Sequence, residues 1–153
     1  MGPLVSGIVW LAAQALFTWV SPAASMWALF VGGAPLELLL KAFGGPASLP
    51  KGHPSAALAT QSAMVAPAGS IVAIVLGVYD ADLFFPSTAL LVGVDYLTFV
   101  SLYGMKVFYA LAGALMLVGV LGLLAFPSLG GYAGWAAAAV LLTFVIPLFR
   151  ASR

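Results

Sequence analysis

Six apolar runs, separated only by short turn-forming stretches, predict an all-α polytopic membrane protein: one domain, residues 1–153, built as a bundle of six transmembrane helices. Two observations carry this. Composition is the first: 64 % of the residues are hydrophobic and 6 % charged, whereas about a quarter of a soluble domain is charged. A mean hydropathy of +1.19 agrees. The second is where the charges fall. Lys41, Lys51, Lys106, Arg150 and Arg153, with Asp80 and Asp82, stand where apolar runs end, while Glu37 and Asp95 lie inside them.

The runs lie near 4–20, 26–43, 56–79, 83–104, 105–126 and 131–149, each long enough for a bilayer that takes roughly 17–25 residues. The first starts without a charged leader region, and Ser21-Pro22-Ala23 suits processing poorly, so it reads as a retained helix rather than a signal peptide. Breaks fall at Ser21-Pro22, Gly44-Gly45-Pro46 through Pro54, Asp80-Ala81-Asp82 and Pro127 through Gly131. Gly104-Met105-Lys106 leaves almost no loop, and a five-span chain with one long bent helix is the alternative there.

Lysine and arginine set orientation. With six spans all five basic residues share one side, which is then cytoplasmic together with both termini, and Asp80 and Asp82 lie opposite. Trp19, Trp27, Tyr79, Phe84, Phe85, Tyr132 and Trp135 fall near the outer ends, and Phe43, Tyr103, Phe108, Tyr109 and Phe149 near the inner ends. They are expected to be interfacial anchors.

Asp95 is the residue that demands an explanation. It stands about ten residues from either end of the fourth run, close to the midplane. A carboxylate there costs at least ~2.5 kcal/mol, so it should face protein or water. It serves either as a hydrogen-bonding lock between helices or as a site for a proton or small cation, with Tyr96, Gln61 and the Pro67 kink around it. Glu37 precedes Lys41 by four residues, the favourable spacing for a helical ion pair near the inner boundary, and is otherwise a second candidate for the ligand site. Gln14 and Gln61 are expected to cross-link helices. Pro35, Pro67 and Pro147 each remove a hydrogen bond within a run. Ala66-x-x-x-Ser70, Ala110-x-x-x-Ala114 and Gly130-x-x-x-Gly134 fit close helix packing.

Other chemistry is thinly represented. The chain has no cysteine and one histidine, His53, in the second loop, so neither a thiolate nor a multi-histidine metal site is expected, and no cofactor. No phosphate-binding glycine loop, zincin helix or nucleophile elbow is present, and a non-enzymatic role is expected. An intramembrane carboxylate protease would need two acids at one depth, and equal rise along the runs puts Glu37 about 8 Å nearer the cytoplasm than Asp95. A net charge of +1 leaves no nucleic-acid footprint. The expected partners are membrane lipids, an ion or small solute, and further copies in a homo-oligomer. A non-catalytic structural or assembly subunit is the alternative.

The stretch Leu91-Val92-Gly93-Val94-Asp95-Tyr96-Leu97-Thr98-Phe99 through Leu102-Tyr103-Gly104-Met105-Lys106, with Gly32-Gly33 and Leu38-Leu39-Leu40-Lys41, resembles an uncharacterised bacterial multi-pass membrane family, a domain of unknown function. The resemblance covers the second to fifth runs. It implies a bacterial inner-membrane location and a polar position in the fourth helix, and no activity.

Overall fold

The computed structural model describes residues 2–42 and 56–151, with side chains described for 3–32, for 57, 58, 61, 64 and 65, and from 67 onward. Every described segment is helical or a short turn. Helix α1 (Gly2–Trp19) passes through Val20 and Ser21 into α2 (Pro22–Ala42). The local sequence dictates this turn. Ser21 Oγ accepts the Ala24 amide at 3.1 Å, and Pro22 takes the first helical position, where an N–H would have no helical partner anyway. Helix α3 (Ala56–Tyr79) runs unbroken through Pro67. It ends at Asp80, whose carboxylate accepts the Asp82 amide at 3.0 Å and caps a 3-10 turn, Ala81–Leu83. That turn feeds α4 (Phe84–Tyr103).

Between α4 and α5 (Val107–Val120) the chain reverses at Gly104, with φ of +67°. Only glycine adopts this left-handed conformation without strain, which ends α4 cleanly. Gly93 on α4 meets Ala112 and Met116 on α5, while Gly119 on α5 meets Pro86 and Leu90 on α4, so the two helices run antiparallel. The alternative of one long bent helix is therefore not what forms. Nothing lies within 4 Å of a Cβ built on Gly104, so the backbone alone sets the outcome of Gly104→Ala. That variant is expected to lose about 1 kcal/mol in denaturant titration of the detergent-solubilised protein.

Helix α5 loosens into a π turn, Leu121–Ala125, and Pro127 opens a 3-10 turn, Pro127–Tyr132. Helices α6 (Ala133–Thr143) and α7 (Val145–Ala151) follow. They form one rod interrupted at Phe144, where Pro147 cannot supply the amide that the Thr143 carbonyl would accept. Three stretches are long and apolar enough to cross a membrane: Ala81–Tyr103, Val107–Ala125 and Pro127–Ala151. Among the described residues the earlier helices contribute shorter apolar stretches, Pro3–Trp19, Pro22–Gly32 and Pro67–Tyr79.

The core is centred on the first turns of α4, where Phe84 through Ala89 are all buried. Phe85 is fully enclosed and meets Trp10 and Phe17 of α1, with ring centroids 5.9 and 5.3 Å away. Phe84 and Phe85 are thus interior groups rather than interfacial anchors, as is Phe108, which packs with Tyr96, Phe99 and Tyr103 at the other end of α4. Trp19, Trp27, Tyr79 and Tyr132 are exposed at the end that carries Asp80 and Asp82. Tyr103, Tyr109 and Phe149 are exposed towards the end that carries Lys106 and Arg150.

Candidate functional site

Asp95 sits on α4, partly buried. Helical periodicity puts it on the same face as Leu91 and Thr88. Leu91 packs against Gly69 of α3, and Thr88 lines a small hollow with Met26, Leu29, Phe30, Ser70, Ile74 and Phe84. This face of α4 therefore looks into the seam between α2 and α3. The hollow holds about 10 Å³, at the lower limit for one water molecule. Thr88 spends its hydroxyl proton on the Phe84 carbonyl at 2.7 Å, and Thr98 does the same to the Asp95 backbone carbonyl at 2.7 Å. Two more hydroxyls, Ser25 on α2 and Ser87 on α4, are buried without a hydrogen-bond partner.

The remaining candidates scatter. Tyr96 is buried, and its ring turns to the α5 side, stacking on Phe108 at 6.0 Å with an interplanar angle of 16°. Its hydroxyl lies close to the Ser6 side chain of α1. Gln61 and Pro67 are both exposed on α3. The structure thus keeps Asp95 and Tyr96 adjacent in sequence but on different faces, and leaves Gln61 and Pro67 at the surface rather than gathered around Asp95.

The Glu37 and Lys41 side chains, and with them the expected ion pair, lie outside the described side chains, and Lys51, His53 and Arg153 lie outside the described residues. Met26 of α2 and Phe84 of α4 meet at Gly77 of α3, so α2 reaches the outer half of α4 across α3.

A second polar site emerges at the opposite end. Gln14 of α1 is fully buried, and its Nε2 donates to the Gly131 carbonyl at 2.8 Å and, more weakly, to Thr18 Oγ1 at 3.4 Å. Its Oε1 has no hydrogen-bond partner and lies where a Cβ on Gly134 would stand. The Asp82 backbone carbonyl occupies the equivalent position at Gly130. The Gly130-x-x-x-Gly134 spacing is what admits α1 and the Asp80–Leu83 turn so closely. Gln14 meets its expected role as a link between helices; Gln61 makes no such link to the described residues.

With this geometry in view, comparison with known proteins adds one assignment. No curated protein and no solved structure matches the chain. The model of DUF7010, described as a family of unknown function, matches residues 1–151. Since that match takes in every helix from α1 to α7, the chain belongs to the DUF7010 family.

Proposed function

We propose that this chain is a six-span integral membrane protein, both termini on the cytoplasmic side of a bacterial inner membrane, that binds and passes a proton or small cation at Asp95. One observation carries the reading: a carboxyl in the inner half of α4, on the face turned to the α2–α3 seam. Helices of 18, 21 and 24 residues for α1, α2 and α3 give lengths of about 27–36 Å, which supports six crossings of a ~30 Å hydrocarbon core. Orientation rests on the basic residues at the ends of α2, α5 and α7.

Size favours the smallest ligands. The hollow between α2, α3 and α4 lies outward of Asp95 on the same face of α4, and at about 10 Å³ it takes no more than a water or a bare ion. The same tightness favours the second reading, in which Asp95 locks helices together in a structural or assembly subunit. An enzymatic role is not proposed, since among the described residues no nucleophile paired with a base accompanies this carboxyl.

The test is proton flux into liposomes containing the purified protein and a pH-sensitive dye. Asp95→Asn is expected to lower the flux at least 10-fold, while Asp95→Glu keeps part of it and both variants stay monodisperse in detergent. Equal flux through the wild type and Asp95→Asn would leave the structural reading standing and remove this one.

A further inference from the structure

The Gln61 amide is the polar group that the fold leaves unexplained. It lies five residues into α3, about 8 Å along the helix, exposed and without a hydrogen bond to the described residues. Gly69, Ala73 and Gly77 turn α3 towards its neighbours: Gly69 meets Leu91, Gly77 meets Met26 and Phe84, and Ala73 is fully buried. Ala57, Gln61, Met64, Ala68, Ile71 and Val75 are all exposed on the other side. They alternate at spacings of four and three, the 3.5-residue repeat of a helix seam. Among the described residues no group on the bundle side pairs with this amide, and the hydrocarbon core offers it no partner.

We infer that this face of α3 is the contact between two copies of the chain, with Gln61 paired to its counterpart across a two-fold axis normal to the membrane. The inference rests on α3 lying in the bilayer, as proposed above. The choice of a second copy follows from complementarity. An amide carries a negative oxygen and positive N–H groups, so it matches the partial charges of another amide. A two-fold axis along the membrane normal sets identical residues of parallel helices at one depth, which brings Gln61 opposite Gln61. Ala57 lies one turn before it and Ala68 two turns after it on the same seam, and their small side chains let the backbones approach there. A single polar residue in an otherwise apolar seam also fixes its register.

The chain lacks cysteine, so one introduced thiol reports unambiguously. In native membranes under mild oxidation, Ala68→Cys is expected to form a disulfide-linked dimer at least 10-fold faster than Leu117→Cys, which is exposed on α5. Adding Gln61→Leu should lower the dimer fraction about 3- to 30-fold, and Gln61→Asn should restore part of it. Three results overturn the inference. Cross-linking at Ala68→Cys no faster than at Leu117→Cys would show that the face meets lipid, and a disulfide to a different protein would show another partner. An undiminished dimer in Gln61→Leu would show that the amide plays no part. A membrane-impermeant maleimide separates these from failure of the underlying topology. A thiol at position 68 that labels from water means that α3 is not in the bilayer, which removes both readings, whereas an unlabelled thiol that does not cross-link removes only this one.

Discussion

Gly130→Ala is expected to destabilise the protein by about 3 kcal/mol, the upper end of the cost of overpacking, and to lower its melting temperature by roughly 6–12 °C for a chain of this size. The reason is steric. Gly130 has an ordinary negative φ, so no conformational privilege is lost. A methyl group there would instead overlap the backbone carbonyl of Asp82 and press on Pro86. A carbonyl fixed in a capped 3-10 turn cannot swing aside as the end of a long side chain can. Gly113→Ala is the internal control: it is exposed, and nothing lies within 4 Å of a Cβ built there, so it should melt with the wild type or slightly above it. Intrinsic fluorescence follows the transition, because Trp10 is buried against Phe85 and reports loss of the core. A Gly130→Ala protein melting within 2 °C of the Gly113→Ala control would mean that the α6 end and the Asp80–Leu83 turn are not packed as described.

Why these glycines matter was legible only in part. The spacing Gly130-x-x-x-Gly134 shows in the sequence, but so does Ala110-x-x-x-Ala114, which the structure places on a partly exposed face. Spacing records that two small residues share a helix face, without recording whether that face has a neighbour. The same gap separates the two glutamines. Gln14 and Gln61 are alike as residues in apolar runs, yet one is enclosed against α6 and the other is exposed on α3. Helix boundaries read more clearly, because Ser21-Pro22, Asp80 and Gly104 act locally through a cap, an Asx turn and a left-handed residue. Phe84 and Phe85 misled for a related reason. Aromatic rings at a run's end suit the headgroup layer in isolation, but a helix start enclosed by four other segments buries them. Asp95 was legible as a costly residue and not as part of a site, since its surroundings come from α2 and α3, far off in sequence.

Gly119→Val should have the larger effect, preventing recovery of monodisperse protein. A Cβ on Gly119 would lie 2.7 Å from the Pro86 carbonyl oxygen and 2.8 Å from both the Leu90 nitrogen and its Cβ. Two of these three atoms are backbone, so Leu90→Ala cannot rescue the variant, and α5 must move off α4 along their most extensive contact. Gly93→Ala attacks the same seam from the other helix, where Met116 Cγ at 2.7 Å can yield but Met116 N at 2.9 Å cannot. Its expected cost is about 1–3 kcal/mol, which a folded protein can survive. That makes it informative about function as well as fold. Gly93 lies two residues before Asp95, and pushing α4 away from α5 drives the Asp95 face into the α2–α3 seam. If Asp95 serves a permeating proton or cation, Gly93→Ala should lower the liposome flux while the protein still elutes as a single species. If Asp95 only locks helices, stability should fall and there should be no flux to change.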